Sequence, residues 1–328
     1  MTNNLYPLKF IPIYKSKIWG GNKIAELFNR KNTTNQCGES WEISDFENNV
    51  SIVANGFLKG NSLSEIIEIY MGDIVGDSVF QKFGCTFPLL VKFIDAQDNL
   101  SVQVHPNDEI AYERHNSFGK TEMWYVIHAD KNSHLYNGFN KDIDQNEYAN
   151  SIIDGSIINV LNNPIVKKGD VFFVPAGNVH SIGKGILLAE IQQSSDITYR
   201  IFDYNRTDNN GEKRELHTDL SFDAINFKQT KDFKKSYSII KNKSVNVTDC
   251  EYFTTNIFSF DMPIEKDFPE IDSFIIYMCT QGSCKIEYDD QKNFIDLSMG
   301  ETVLIPAIIK NLCFYPNSET TLLETYIK

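Results

Sequence analysis

The chain has 328 residues, of which 41% are apolar, and it carries a net charge of −13 at pH 7. This size suits two domains with hydrophobic cores, and the negative charge argues against binding to nucleic acid or to an anionic membrane. No segment has the apolar length of a membrane span, and the N-terminus lacks the basic start and apolar run of a signal peptide, so we expect a cytoplasmic protein. A small phosphorylated ligand is not excluded, because a local cluster of cations can oppose the global charge.

The N-terminal third is predicted to alternate short helices with strands. Hydrophobic periodicity and capping residues indicate these elements. In chain order they are a helix from Asn22 to Phe28, a strand over residues 38–44, a helical segment from Ser62 or Ser64 to about Phe83 with breaks at Gly72 and Gly76, and a buried strand over residues 87–94.

A row of polar side chains distinguishes the next predicted strand. Ser101, Gln103 and His105 share one face of it, whereas Leu100, Val102 and Val104 share the other. The apolar row can pack against a second layer, so the polar row is expected to face a cavity. Pro106 cannot continue a central ladder, and His105 should therefore lie at the mouth of the strand.

The remainder of the chain is predicted to be mainly β. A helix from Asn107 or Asp108, a strand over residues 122–127 and a helical segment over about 142–159 come first. Short strands separated by Gly, Pro and Asn turns follow, as in a sandwich or barrel. These strands are expected over residues 171–174, 186–191, 198–202, 253–260, 274–278, 284–288, 301–305 and 321–326, with the basic residues 228–243 as the link between two domains.

A weak internal repeat supports two related domains. The sequence GDVFFVP at residues 169–175 is echoed by GETVLIP at residues 300–306. Only the first copy continues to a histidine, His180, because the second has Asn311 at that point. If both copies form the same hairpin, only the first carries a ligand side chain.

The candidate metal ligands are His105, Glu122 and His180, with Gln103 as a fourth. Two imidazoles and a carboxylate with an open position match the pattern of catalytic zinc sites. The alternative is that these are hydrogen-bonded residues of the core, and their spacing in the sequence leaves both interpretations open.

The motif over residues 169–180, GDVFFVPAGNVH, matches the second half of the signature of the cupins, which are jelly-roll β-barrels with a metal at the mouth. Three further blocks, at residues 100–108, 119–124 and 195–200, resemble type I mannose-6-phosphate isomerases in their short bacterial form. The resemblance runs from about Leu8 to Lys328. It implies a mainly β fold of two cupin-type jelly-roll β-barrels with short helical insertions in the N-terminal part.

The same resemblance implies a division of the chain. A catalytic metal-binding cupin domain is expected over residues 1–235, and a degenerate cupin-like β domain without metal over residues 236–328. The first cupin half-motif, normally His-x-His followed closely by Glu, is replaced by Gln103-x-His105 with Glu122 much later, which is this family's own variant.

The resemblance further implies a chemistry. One Zn²⁺ per chain would be held by His105, Glu122 and His180, with Gln103 at the position that can complete the set. The implied reaction interconverts mannose 6-phosphate and fructose 6-phosphate: a proton leaves C2, an enediol(ate) forms, and a proton returns at C1. The ion would act as a Lewis acid on the oxygens of the sugar.

Two cations carry over to the family's pocket, and each has a structural alternative. The resemblance implies that Arg200 is the catalytic arginine, which would stabilise an enediolate or hold substrate oxygens. Its alternative is a surface ion pair with Asp196 or Asp203. Lys120 binds the phosphate or assists ring opening, and its alternative is a lysine that faces solvent.

Two further residues are expected to line the pocket. Glu190 is the candidate general base, because its otherwise apolar strand would raise the pKa of the carboxyl. Its alternative is a partner for a ligand histidine. Ser101 donates to the phosphate or forms a hydrogen bond within the sheet.

Two other classes of protein compete with the isomerase. One is a sugar-binding or regulatory cupin without catalysis, which has no need for Arg200 and Lys120 beside a complete ligand set. The other is an iron-dependent cupin oxygenase, which analysis of the bound metal would distinguish from a zinc-dependent isomerase. The expected partner is a small sugar phosphate, without nucleic acid or membrane, and the chain is expected to act as a monomer or a homodimer.

Overall fold

A computed structural model describes residues 5–207, 211–289 and 293–328. In these ranges the chain is mainly β, with several sheets and short helices. No helix there has both the length and the apolar character needed to span a lipid bilayer.

The chain forms two compact units that are not consecutive in sequence. The first unit comprises Tyr14–Ser40 and Lys92–Lys235, and the second comprises Met1–Ile13, Trp41–Val91 and Ser236–Lys328. A division at residues 235 and 236 assigns residues 41–91 to the N-terminal domain, whereas their contacts group them with the C-terminal residues. The unit boundaries therefore depend on long-range contacts that the order of the sequence does not show.

Two sheets packed face to face form the first unit. The larger sheet has the order β1 (Ile13–Gly21), β2 (Cys37–Ile43), β5 (Leu89–Ala96), β11 (Ile186–Gln193), β7 (Glu122–Ala129), β9 (Val171–Val174) and β13 (Lys234–Lys235). Three of the boundaries between the units fall within strands of this sheet, one each in β1, β2 and β5. The smaller sheet has the order β12 (Tyr199–Phe202), β6 (Val102–Val104), β10 (His180–Ile182) and β8 (Leu135–Asn137). Trp124 and Leu188 of the larger sheet pack with Leu135 and Ile182 of the smaller one in a single buried cluster.

The polar row of β6 faces this interior, as the alternation predicts. Val102 and Val104 point the other way and pack in an outer cluster with Tyr148, which lies on the helix Gln145–Ile153. Leu100 differs from the prediction: it lies before β6 and joins the inner cluster. The alternation therefore holds from Ser101 onward, and Leu100 is its exception.

The helices of the first unit are α1 (Lys23–Leu27), α5 (Asp108–His115), α6 (Gln145–Ile153), a 3₁₀ helix (Ile157–Val160) and α7 (Thr218–Ala224). Asn107 caps α5, because its side-chain oxygen accepts a hydrogen bond of 3.0 Å from the backbone N–H of Ile110. The long helix predicted over residues 142–159 is interrupted at Gly155, whose φ of +74° suits glycine.

The second unit also consists of two packed sheets. One has the order β14 (Lys243–Asp249), β15 (Thr254–Phe260), β22 (Thr320–Tyr326), β17 (Ile275–Gln281) and β20 (Thr302–Ile305), and the other has the order β16 (Ile264–Asp267), β21 (Asn311–Pro316), β18 (Ser283–Glu287) and β19 (Phe294–Ser298). The smaller elements are β3 (Asp45–Phe46), β4 (Asn49–Val50), α2 (Leu63–Tyr70), α3 (Gly72–Val75) and α4 (Asp77–Phe83). Ser62 forms the predicted cap of α2 in a capping box with Glu65.

The two copies of the internal repeat occupy equivalent strands. β9 of the first copy pairs with β7, which pairs with β11, and β20 of the second copy pairs with β17, which pairs with β22. Phe172 lies opposite Trp124 in the first unit, and Val303, at the same point of the repeat, lies opposite Tyr277 in the second. The repeat in the sequence therefore corresponds to a repeat in strand pairing.

Candidate metal centre

Three strands of the first unit bring the predicted ligands together. His105 follows β6, Glu122 begins β7 and His180 begins β10, and all three side chains are buried. Their ligand atoms lie within 4.8 Å of one another. Nε2 of His105 lies 3.2 Å from Oε1 of Glu122, and Nε2 of His180 lies 3.9 Å from Oε2.

Backbone carbonyls set the tautomer of both histidines. Nδ1 of His105 donates to the carbonyl of Ile197 at 2.7 Å, and Nδ1 of His180 donates to that of Asn178 at 2.8 Å. Because a carbonyl only accepts, each Nδ1 carries the proton and each Nε2 presents a lone pair to the centre. This is the arrangement in which a histidine coordinates a metal through Nε2.

Burial and charge hold the ligands in their metal-binding protonation states. Burial, followed by the charge of Lys120, lowers the pKa of His105 to about 3, and burial also lowers the pKa of His180. Burial alone would raise the pKa of Glu122, but Lys120 and His105 outweigh it and hold that pKa well below its usual value. Neutral imidazoles and an ionised carboxylate are the states that a metal requires.

Two of the ligand atoms have a polar neighbour outside the ligand set: Oε1 of Glu122 lies 3.1 Å from Nζ of Lys120, and Nε2 of His180 lies 3.3 Å from Nε2 of Gln103. Nε2 of His105 and both carboxylate oxygens of Glu122 are buried and form no hydrogen bond within the described part of the chain. The lone pair of His105 therefore faces a carboxylate oxygen at 3.2 Å with no proton between them. A divalent cation would convert this repulsion into attraction, and the donor set suits zinc. The interpretation as satisfied core residues does not explain these atoms.

Gln103 and Arg200 continue the site across the smaller sheet. Gln103 lies directly opposite His180 on β10 and opposite Arg200 on β12, so the three residues form one cross-strand row. Nε2 of Gln103 lies 3.3 Å from Nε2 of His180. Ser101 donates to Oε1 of Gln103 at 3.4 Å, so it contacts the proposed fourth ligand within the sheet.

Lys120 and Glu190 are both buried in the interior of the first unit. Nζ of Lys120 lies 3.1 Å from Oε1 of Glu122, so the lysine does not face solvent. Glu190 accepts a hydrogen bond of 2.7 Å from the indole N–H of Trp124 and lies 3.1 Å from Nζ of Lys92. Burial, followed by the charge of Glu122, raises the pKa of Glu190. Because the ligand histidines donate to backbone carbonyls, Glu190 is not their partner.

Among the described residues, Arg200 forms no ion pair with Asp196 or Asp203, which was the alternative to its catalytic role. Its Nη1 donates to the backbone carbonyl of Glu215 at 2.8 Å. Asp203 instead pairs with Arg206 and Arg214. Arg200 is thus available to the interior of the unit.

A cavity of about 270 Å³ lies beside the candidate ligands, although His105, Glu122 and His180 are not among the residues that line it. Its lining includes the predicted Ser101, Gln103, Lys120, Glu190 and Arg200, and five charged residues that were not predicted to line the site, namely Lys17, Glu39, Lys92, Asp196 and Arg214. For Lys92 a signal was present, because a lysine within the apolar run of residues 87–94 requires a buried partner. For Arg214, in a polar segment, no local pattern indicated a site.

Comparisons with known proteins agree on a family. Residues 7–120 match the catalytic domain of type I phosphomannose isomerase. The chain is 43% identical over 223 residues to the mannose-6-phosphate isomerase ManA of Bacillus subtilis, a match that covers 67% of this chain and 68% of that one. It is 32% identical over 308 residues to YvyI of the same organism, over 92% of this chain and 93% of the relative.

A solved structure extends this similarity to the fold. The crystal structure of the mannose 6-phosphate isomerase from Bacillus subtilis matches with a TM-score of 0.88 at 30% identity, over 98% of this chain and 100% of that chain. The resemblance on which the sequence analysis relied is confirmed. The chain is an enzyme of the type I phosphomannose isomerase family.

Proposed function

We propose that this enzyme interconverts mannose 6-phosphate and fructose 6-phosphate in the cavity of the first unit, with one Zn²⁺ per chain and an enediol(ate) intermediate. The observation that carries the proposal is that buried ligand atoms of His105 and Glu122, beside His180, form no hydrogen bond among the described residues. The relatives named mannose-6-phosphate isomerase support the choice of substrate.

The proposed ligands are Nε2 of His105, Nε2 of His180 and the carboxylate of Glu122. Gln103 is the proposed fourth ligand and would bind through its amide oxygen, Oε1. In the structure the amide nitrogen, Nε2, lies near His180, and a rotation of the amide by 180° would bring Oε1 to that position. When bound, the ion acts as a Lewis acid that stabilises negative charge on substrate oxygen. The histidines and Glu122 hold their protonation states without it, so the site is prepared before binding.

Arg200 is proposed to stabilise the negative charge that develops when the proton leaves C2. It lies in the same cross-strand row as Gln103 and His180, so its guanidinium can reach the mouth of the site. A guanidinium stays protonated at neutral pH even when burial lowers its pKa, as it does here. Its effect is therefore electrostatic and requires no proton transfer.

Glu190 is proposed as the base that carries the proton between C2 and C1. Burial raises the pKa of its carboxyl, which makes proton uptake near neutral pH less costly, while Lys92 and Trp124 fix its position. Lys120 lies beside Glu122 at the metal end of the cavity. We assign it to ring opening, where its ammonium can donate to a sugar oxygen, and we assign Ser101 to orienting Gln103.

At the level of the fold, we propose that both units are cupin-type jelly rolls and that the metal belongs to the first. Every residue of the cavity lies in that unit. The second unit has Asn311 at the position of His180, so it is proposed to bind no metal. A cytoplasmic monomer or homodimer that acts on a free sugar phosphate fits this arrangement.

The test is a coupled assay of purified protein with mannose 6-phosphate, with and without a chelator, combined with elemental analysis. His180→Ala should lose bound zinc and activity together while its circular dichroism stays that of the folded protein. His128→Ala removes an exposed histidine paired with Asp130 and serves as the control.

Two outcomes would contradict the proposal. Full zinc content in His180→Ala would refute the ligand assignment. Isomerase activity that survives complete metal removal would refute metal dependence, and bound iron with oxygen consumption would favour the oxygenase instead.

A further inference from the structure

The charges of the cavity are unevenly paired. Its three lysines each lie close to a carboxylate, as the pairs Lys17–Glu39 at 3.0 Å, Lys92–Glu190 at 3.1 Å and Lys120–Glu122 at 3.1 Å. The two arginines of the lining, Arg200 and Arg214, are different. Arg200 donates to a neutral carbonyl, and its Nε is buried without a hydrogen-bond partner in the described part of the chain. Apart from Asp196, the acidic residues of the lining belong to lysine pairs, so the positive charge that these pairs leave over lies at the arginine side.

Arg214 shares its only acidic partner among the described residues with another arginine. Asp203 accepts from Nε of Arg214 at 2.8 Å and from its Nη2 at 2.5 Å, and it also accepts from Arg206 at 2.5 Å. One carboxylate thus faces two guanidiniums. Nη1 of Arg214 forms no hydrogen bond within the described ranges, and its side chain is 22% exposed at the cavity. Burial and then the charge of Arg214 lower the pKa of Arg200, which supports the proximity of these two cations.

The strand order sets the distance of Arg214 from the metal ligands. His180, Gln103 and Arg200 follow one another across β10, β6 and β12. Beyond β12, the edge of that sheet, lies the segment that carries Arg214: the N–H of His217 donates to the carbonyl of Arg200 at 2.7 Å. Since adjacent strands are about 4.8 Å apart, Arg214 belongs to the end of the cavity away from the metal ligands.

We propose that Arg214 binds the phosphate group of the substrate, with Asp203 as the residue that positions its guanidinium. The inference rests on the proposed function, because C1 and C2 must lie at the metal end and the phosphate on C6 is then at the opposite end of the carbon chain. A planar guanidinium suits phosphate oxygens, and Asp203 leaves Nη1 to donate. Lys120 is already paired with Glu122 at the metal end, so it is the weaker candidate.

The test compares Arg214→Met with Lys213→Met, which removes the same charge from an adjacent exposed side chain. Arg214→Met should lower kcat/KM for mannose 6-phosphate by on the order of 10- to 100-fold, mainly through KM. Activity on unphosphorylated mannose should stay within about twofold of the wild type, since no phosphate contact is lost. Affinity for inorganic phosphate, measured by calorimetric titration of the zinc-loaded protein, should fall by a factor like that in kcat/KM. Lys213→Met should change neither kcat/KM for mannose 6-phosphate nor the affinity for inorganic phosphate.

Wild-type KM and phosphate affinity in Arg214→Met would overturn the inference, and so would an effect no larger than that of Lys213→Met. If Arg214→Met does not fold, Arg214→Lys is the second variant, because lysine keeps a positive charge beside Asp203. Its affinity for phosphate should be intermediate, and wild-type affinity would contradict the inference. An inactive wild-type protein would refute the proposed function alone, because the phosphate titration still decides the role of Arg214.

Discussion

At the scale of single residues, the main feature of the site is that Nε2 of His105 and Nε2 of His180 carry no proton. Nδ1 of both His105 and His180 donates to a carbonyl, so neither Nε2 can donate to Glu122. A buried lone pair 3.2 Å from Oε1 of Glu122 is unfavourable, and Lys120, at 3.1 Å from that oxygen, offsets the charge of the carboxylate without satisfying the lone pair of His105. These atoms support the proposed metal centre more strongly than the spacing of the residues in the sequence does.

Arg200 permits a prediction at this scale. If its charge stabilises an oxyanion that exists only transiently, Arg200→Ala should lower kcat by on the order of 10²–10³ and raise KM far less. Arg200→Lys should recover part of the rate, because lysine keeps the charge and loses the planar fork. Steady-state kinetics on mannose 6-phosphate, with zinc quantified in the same samples, provides the measurement.

The control for this prediction is Arg114→Ala, which removes a surface arginine paired with Asp223. Zinc content should be normal in every variant, because Arg200 is not a ligand. A pure KM effect, or wild-type kcat in Arg200→Ala, would move Arg200 from catalysis to substrate binding.

At the scale of elements, the ends of strands and the turns beside them position the ligands. The backbone N–H of Lys120 donates to the carbonyl of Pro106, and that of Gly177 donates to the carbonyl of His105. Asp108 accepts from the N–H of Gly119 at 2.8 Å. The turns that precede Glu122 and His180 are thus tied to the end of β6, which holds His105 in register with them.

Gly119 allows a test of this arrangement. A Cβ at this position would lie 2.6 Å from the backbone of Asn107 and Asp108, so the turn would have to shift. We expect Gly119→Ala to lower the free energy of unfolding by about 1–3 kcal/mol, as overpacking does. Because Lys120 and Glu122 follow directly, zinc affinity should fall as well. Urea unfolding and zinc titration measure the two effects.

Ser117→Ala, in the same turn region, is the control and should match the wild type in both measurements. If Gly119→Ala bound zinc with wild-type affinity, the turn would not position Glu122, and the link between the two strand ends would be unnecessary for the site.

At the scale of the whole molecule, both units contain a buried glutamate at the same register. Glu190 lies opposite Trp124 and accepts from its indole, and Glu324 lies opposite Tyr277 and accepts from its hydroxyl at 2.8 Å. Each glutamate also has a lysine partner, which is Lys266 for Glu324. Only the first glutamate lines the cavity, so the second is expected to serve stability alone.

Glu324→Gln should therefore destabilise the protein without changing its chemistry. Lys266 would remain unpaired near the ring of Phe258, and breaking a buried pair in this way costs about 3–5 kcal/mol. The kcat below the unfolding temperature should stay that of the wild type. Glu190→Gln is the matched variant at the equivalent position and should lose kcat. Equal losses of kcat in both variants would contradict this division of roles.

The pair also predicts a pH dependence. Burial opposes ionisation of Glu324, but Lys266 outweighs it, and the pKa of Glu324 is lowered in the folded state. The stabilisation is therefore complete above the pKa of a glutamate in the unfolded chain, and it is lost as the pH falls through the lower pKa of the folded state. The difference in unfolding free energy between wild type and Glu324→Gln should shrink over that acidic range.

The sequence by itself determined the features that depend on local order. The caps at Ser62 and Asn107, the alternation of residues 101–105 and the repeat around residues 169 and 300 are all patterns of neighbouring residues, and the structure contains each of them. Residue type restricted which side chains could hold a metal, but the resemblance to the family, and not their spacing, assigned the candidate ligands.

Only the tertiary structure decided which distant residues meet. The grouping of residues 41–91 with the C-terminal residues, the pairing of Lys92 with Glu190 and the arrival of Arg214 at the cavity all depend on contacts between segments far apart in the chain. The tautomers of His105 and His180 likewise depend on carbonyls that folding places beside them. Local sequence patterns do not indicate such contacts, because the free energy that selects these contacts comes from packing and electrostatics of the whole fold.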